Sequence, residues 1–202
     1  MKLSTLYWFL FFSMFIALQI YFVKGLKENR ARAHILENIL TRDECRNIIR
    51  DCEKHETWTR YSNQGYNTHD VLLTELPNLY AFIENIVYDK LVPEYAAKYN
   101  VPENSLSLDK SSLFFIKYFN DPGSNTSLYA VTGYHKDKSP FSFNIALNDD
   151  FSGGGTHFLK ENMHVNNPTG SCLIFPGRST HSGVKINEGI RYIIYGSLDY
   201  KK

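Results

Sequence analysis

The C-terminal half of the chain carries a small set of residues whose types and spacing suit metal chemistry. His135-Lys136-Asp137 places an imidazole and a carboxylate two positions apart, and a second histidine, His181, follows in a β-type run. His-x-Asp alone is a weak signal that many proteins carry by chance. Joined by His181 it becomes stronger, because two neutral imidazoles and one carboxylate on one face of a metal suit non-haem Fe(II) and leave three positions open. Arg191, ten residues after His181, adds a permanently charged fork shaped for a carboxylate. A dicarboxylic acid could chelate the metal through a 2-oxo acid end and reach this guanidinium with its far carboxylate. A zinc hydrolase needs only one open position and leaves such an arginine without a purpose.

These residues must be positioned by strands. Short β-type runs cover residues 113–118, 141–147, 156–159, 170–175, 181–186 and 191–198, separated by Gly, Pro, Asn and Asp turns. Asn187-Glu188-Gly189 reads as a hairpin turn between the last two. Pairing centred on Glu188 sets His181 opposite Tyr195 and Arg191 opposite Lys185, all on one face, with roughly 13 Å between the His181 and Arg191 backbones. Upstream, residues 35–40 read as a short strand, followed by Thr41-Arg42-Asp43-Glu44, a capping box that starts a helix. Cys45, Ile48, Ile49 and Cys52 form its buried stripe; at helical spacing Cys45 and Cys52 stand about 10 Å apart, too far for a disulfide. A second helical region covers residues 78–99, with Leu79, Phe82, Ile83, Ile86 and Val87 on one face and Pro93 interrupting it. Helices followed by many short strands predict an α+β domain, a β-sandwich or barrel with helices packed on one face and a mouth where a metal can sit. Gly153-Gly154-Gly155 is not followed by Lys-Ser/Thr, so it reads as a sharp turn close to the barrel and not as a phosphate loop.

Of 202 residues 43% are hydrophobic and 21% charged, with 22 Lys and Arg against 21 Asp and Glu. That balance argues against a nucleic-acid partner held by phosphate neutralisation and against disorder. Three cysteines, none in a CxxC pair, exclude a zinc ribbon and a thioredoxin-type site. Residues 3–23 carry no charge, and at about 1.5 Å per helical residue they reach roughly 30 Å, the thickness of a bilayer core. Tyr7 and Trp8 near one end and Tyr21 and Phe22 near the other suit an interfacial belt. The expected organisation is a transmembrane anchor over 1–23, with a cleaved signal peptide as the alternative, a basic linker over 24–34 and one domain over 35–202 whose core spans 113–199. Lys24, Lys27, Arg30 and Arg32 after the span favour a cytoplasmic domain by the positive-inside rule, whereas the sequon Asn125-Thr126-Ser127 favours a luminal one.

The strand segments resemble a known family, the Fe(II)- and 2-oxoglutarate-dependent oxygenases, in the branch of the prolyl 4-hydroxylase alpha-subunit and the procollagen lysyl hydroxylases. The resemblance rests on Phe115-Ile116-Lys117-Tyr118, on His135-Lys136-Asp137 with Phe141 to Asn148, on Asp150 to Leu159, on Phe175 to His181, and on Gly189-Ile190-Arg191-Tyr192-Ile193. It implies a double-stranded β-helix (jelly-roll) core, with His135, Asp137 and His181 holding iron and Arg191 holding the distal carboxylate of 2-oxoglutarate. It further implies that Tyr118 bonds that carboxylate, that Asn144 contacts the co-substrate, and that Arg60, preceding Thr68-His69-Asp70-Val71, contributes to binding. Phe141, Phe143 and Ile145 are expected to wall the site against water, and His157 and His164 to be structural. Implied as well are dioxygen and L-ascorbate, decarboxylation of 2-oxoglutarate to succinate, and hydroxylation of a peptidyl lysine or proline. An anchored enzyme of this branch would sit in the endoplasmic reticulum with a luminal domain. A small-molecule oxygenase and a non-catalytic binding module of the same fold are the alternatives.

Overall fold

The computed structural model describes residues 14–16, 18–19, 32–55, 68–120 and 133–201. Helix α1 (Arg42–Cys52) begins where its capping box predicts: Thr41 Oγ accepts the Glu44 amide at 3.2 Å, and the Glu44 carboxylate accepts the Thr41 amide at 2.7 Å. The box thereby satisfies two amides that a helix start leaves without partners. Cys45, Ile48 and Cys52 face the core, and all three cysteines of the chain are free thiols. The second helical region is divided into α2 (Pro77–Ile86) and α3 (Val92–Tyr99), joined by a π turn over Val87–Leu91. Pro93 does not break the rod; it sits in the first turn of α3, where its missing amide costs little. Ile83, Ile86 and Val87 are buried as expected, but Phe82 is 37% exposed, because it lies one residue round the helix from the buried Ile83.

Among the described residues the strands form one large antiparallel sheet and two small ones. The large sheet runs β1 (His34–Leu36), β9 (Cys172–Pro176), β5 (Phe141–Ala146), β12 (Ile190–Tyr200), β4 (Phe114–Phe119), β2 (Thr68–Leu72), with β3 (Leu106–Leu108) pairing with the end of β12. A second sheet runs β10 (His181–Gly183), β7 (Thr156–Phe158), β8 (Met163–Val165), and β11 (Ile186–Glu188) pairs with β6 (Ser152–Gly153). Side chains alternate strictly across the large sheet. Phe141, Phe143 and Ile145 of β5, Ile174 of β9, Ile194 of β12 and Phe115 of β4 share one core with the helices. Their neighbours face the other way: Leu173 and Phe175 pack on Phe158 of β7, and Tyr118 and Ile193 pack on Ile186 of β11. The result is three layers, with helices on one face of the large sheet and the small strands on the other.

Three expectations are corrected. The strand over 35–40 ends at Leu36, because Asn38 takes φ 58° and the Ile39 and Leu40 amides turn to the Gly170 carbonyl. The run over 181–186 divides into β10 and β11, which join different sheets. The expected hairpin between the His181 and Arg191 strands therefore does not form. Both hydrogen-bonding edges of β12 are already taken by β4 and β5, so His181 lies opposite Phe158 while Arg191 lies opposite Tyr118. The apolar stretch 3–23 falls mostly outside the described residues, as do Arg60 and Asn125; residues 14–16 and 18–19 are helical and exposed. Among the described residues no helix is long and apolar enough to cross a membrane.

Candidate functional site

His135 and His181 are brought together by the backbone. The His135 amide donates to the His181 carbonyl at 2.9 Å and the His181 amide to the His135 carbonyl at 3.0 Å, an isolated bridge that sets the two rings 4.5 Å apart. Asp137 is pinned next: its amide donates to the Gly177 carbonyl at 2.8 Å, and the Gly177 amide donates to Pro140 at 2.9 Å. A Cβ at position 177 would lie 2.3 Å from the Ser139 carbonyl oxygen, so the two loops approach this closely only with glycine there.

The imidazoles are oriented from behind. His135 Nδ1 lies 3.0 Å from the Gly133 carbonyl and His181 Nδ1 lies 2.8 Å from the Ser179 carbonyl. A carbonyl only accepts, so these contacts place the proton on Nδ1 and leave each Nε2 lone pair pointing forward, the tautomer a metal requires. The two Nε2 atoms stand 3.5 and 3.7 Å from the Asp137 oxygens, and one donor atom from each of the three residues falls within 4.8 Å of the others. The titrations do not all favour a cation, since a raised His135 would have to give up its proton to one. Burial pushes His181 down, away from its charged form, and the hydrogen bond to Asp137 raises His135. Burial works to raise Asp137, but the His135 hydrogen bond, the His181 charge and the Ser142 hydroxyl together hold it below its ordinary value. Two nitrogens and a carboxylate thus converge as a set that could hold a divalent metal.

These residues line a cavity of about 530 Å³ between the layers, and Arg191, Tyr118 and Asn144 line it too. Arg191 on β12 is only 3% exposed; its guanidinium carbon lies 5.4 Å from the centre of the Tyr118 ring, and its Nη2 has no hydrogen-bond partner among the described residues. Burial lowers the Arg191 pKa, and it raises that of the Tyr118 phenol to about 12, so Tyr118 stays neutral and can donate. Asn144 Nδ2 reaches Thr156 Oγ1 at 3.5 Å, while its Oδ1 has no partner among the described residues. A buried guanidinium donor without a partner is costly, so the cavity is built for an anion that supplies one. The donor set and this waiting cation together fit a metal chelated by a 2-oxo dicarboxylic acid.

The glycine turn behaves as its sequence suggests. Gly154 takes φ 68°, and a Cβ there would stand 2.7 Å from Ile186 Cδ1 and 3.2 Å from Arg191 Cδ, so the missing side chain makes room for the arginine. His157 bonds Tyr134 Oη through Nδ1 at 2.8 Å and His164 Nε2 approaches the Gly154 carbonyl at 2.7 Å; neither belongs to the metal-capable group. Phe141, Phe143 and Ile145 do not wall the cavity. They point to the helix side of β5, and the apolar lining comes instead from Phe114, Ile116, Phe175 and Ile193. Sequence reasoning also missed Asp70, Ser142 and Tyr195. Asp70 on β2 lines the cavity, and burial, partly offset by the Thr68 hydroxyl, pushes its carboxyl up to about 6. The Thr68-x-Asp70 alternation was its available signal, but no strand was expected there.

No family model matches the chain. It is 27% identical over 174 residues to mouse procollagen-lysine,2-oxoglutarate 5-dioxygenase 1, a match covering 80% of this chain but only 23% of that protein's length. Among solved structures it is similar to the non-heme alpha-ketoglutarate dependent epimerase SnoN of nogalamycin biosynthesis (TM-score 0.62, 16% identity, 89% of this chain and 83% of that one). It is also similar to the viral collagen prolyl hydroxylase of Paramecium bursaria Chlorella virus-1 in its 2-oxoglutarate complex (TM-score 0.56, 13% identity, 84% and 96%). In sequence, then, the chain is similar to the procollagen-lysine 2-oxoglutarate dioxygenases, and it carries the fold shared by the 2-oxoglutarate- and Fe(II)-dependent oxygenases.

Proposed function

We propose that this chain is an Fe(II)- and 2-oxoglutarate-dependent oxygenase that hydroxylates a lysine or proline side chain within a peptide, releasing succinate and CO2. One observation carries the reading: a His-Asp-His donor set and a buried arginine with an unpartnered Nη2 open into the same cavity. Bound by His135, Asp137 and His181, iron would supply dioxygen activation coupled to decarboxylation of the 2-oxo acid. The rest falls to the protein. Arg191 takes the distal carboxylate, Tyr118 donates to it, and Asn144 orients the chelating end, so the co-substrate is held in one pose. Phe114, Ile116, Phe175 and Ile193 exclude water around the reacting atoms.

Of the two side chains, lysine is favoured by one group only, Asp70, which lines the cavity from β2 and can meet an ammonium group although Lys136 and Lys138 line the same cavity. The likeness to SnoN favours a second reading, the same cofactor chemistry on a small molecule. For location, the proposal is a single-pass protein anchored by residues 3–23 with its domain in the lumen of the endoplasmic reticulum; protection of the domain from protease in sealed microsomes tests it.

The test of function is decarboxylation of labelled 2-oxoglutarate by the full chain with Fe(II) and ascorbate, with and without Lys- or Pro-containing peptides. Iron-dependent release that a peptide stimulates, and that His181→Ala abolishes, supports a peptidyl hydroxylase. Turnover indifferent to every peptide supports the small-molecule reading. Folded protein that binds neither metal nor 2-oxoglutarate overturns both in favour of a binding module.

A further inference from the structure

Asp137 has two oxygens, and the surroundings treat them differently. Oδ1 stands 3.5 Å from His135 Nε2 and Oδ2 3.7 Å from His181 Nε2, so both face an imidazole and they differ in what holds them from behind. Oδ2 accepts a hydrogen bond from the Ser142 hydroxyl at 2.5 Å, a length ordinary for a hydroxyl bound to a carboxylate. Ser142 is fully buried at the centre of the large sheet, paired with Phe175 of β9 on one side and Ser197 of β12 on the other, so its Cα has no freedom to follow a moving partner. Its carbonyl is held in turn by the hydroxyl of Tyr95, a fully buried residue of α3. Space for the contact is reserved by Gly177, where a Cβ would lie 2.9 Å from Ser142 Oγ and 3.2 Å from Asp137 Cβ. The Tyr195 hydroxyl is also within reach of both Ser142 and Asp137.

We propose that Ser142 is a positioning residue that keeps Asp137 to coordination through Oδ1 alone. A carboxylate free to rotate can grip a divalent ion with both oxygens. Asp137 would then fill a fourth position and leave two, enough for a chelating 2-oxo acid but not for dioxygen beside it. With Oδ2 committed to the Ser142 hydroxyl, the protein presents three donor atoms and three positions stay open. The helix layer thus acts on the metal from behind the sheet, through Tyr95, Ser142 and Asp137.

This inference rests on the oxygenase reading of the site, and one of its two readouts does not depend on 2-oxoglutarate. The full chain is loaded with Mn(II), and the number of exchangeable metal-bound waters is read from water-proton relaxation. Ser142→Ala is expected to lower the relaxivity per bound ion by about one third, as three open positions become two. Ser142→Thr, which keeps the hydroxyl, is expected to match the wild type. In the second readout 2-oxoglutarate is titrated into the Mn(II)-loaded proteins. Two positions are enough for the chelate, so all three proteins are expected to bind 2-oxoglutarate, but its binding should leave about one exchangeable water in wild type and Ser142→Thr and none in Ser142→Ala. Unchanged relaxivity in Ser142→Ala overturns the proposal, as does a loss that Ser142→Thr shares, since that marks packing and not the hydroxyl. If wild type binds Mn(II) but no 2-oxoglutarate, the proposed function fails, while the relaxivity comparison still decides the role of Ser142.

Discussion

The two faces of β5 are built from the same six residues and do opposite work. Toward the helices, Phe141, Phe143 and Ile145 enter a continuous apolar core with Tyr95, Tyr99 and Leu113. Toward the small strands, Ser142 bonds a candidate metal ligand and Asn144 lines the cavity beside Arg191 and Tyr195. One face lowers free energy by burying carbon. The other buries polar groups, two of which lack partners among the described residues, Asn144 Oδ1 and Arg191 Nη2. The contrast teaches that the stability of this sheet is supplied from the helix side and spent on the cavity side, as sites prepared for a ligand require.

Substitutions on either side should therefore separate stability from ligand binding. Phe143→Ala, at a fully buried ring, is expected to cost about 3–5 kcal/mol in denaturant unfolding, while the folded fraction binds 2-oxoglutarate with wild-type affinity. A large loss of affinity in that folded fraction would break the division between faces.

Asp70→Asn acts in the opposite direction. Its folded-state pKa, about 6, lies above the usual 3.8, so between those values the native protein holds a proton that the unfolded chain has released. Asp70 thus lowers stability progressively as pH rises from about 4 to 6, by about 3 kcal/mol in full, and the amide removes that loss. Urea unfolding should find Asp70→Asn more stable at pH 8, the gain shrinking toward zero near pH 4. Stimulation by Lys-containing peptides should weaken in the same variant.

Arg191→Met tests the cavity face most directly. It is expected to weaken 2-oxoglutarate binding about 100-fold, just under 3 kcal/mol, without lowering unfolding stability, because the unpartnered guanidinium is replaced by carbon of similar length. A destabilised Arg191→Met would mean that the arginine serves the apo fold. The smallest effect is local: Thr41→Ala removes the capping box of α1 and should cost about 1 kcal/mol, leaving both faces of β5 unaltered.

Much of this arrangement was legible, and the failures have specific causes. The residues expected to meet at one site, His135, Asp137, His181, Arg191, Tyr118 and Asn144, do line a single cavity. The route by which His181 and Arg191 meet was read wrongly. A hairpin is the simplest way to join adjacent strands, but β12 is paired on both edges, and the two residues approach across the gap between sheets. Phe141, Phe143 and Ile145 cannot wall the cavity together with Asn144, because the period of two sets them on the opposite face of β5, and Ser142 and Asn144 already mark the polar one. Asp70 escaped notice because β2 is an edge strand whose partner β4 lies more than forty residues on.

By itself the sequence determined what is set by neighbours along the chain. The start of α1 follows from Thr41 and Glu44 three residues apart, the alternation within each strand from the period of two, and the donor types at the candidate metal centre from His135, Asp137 and His181. Only the tertiary structure decided which face of each strand meets the helices, which strands share a sheet, and which Asp137 oxygen Ser142 holds. Those outcomes depend on contacts between residues distant in sequence, where packing against a particular partner, and not local preference, sets the free energy.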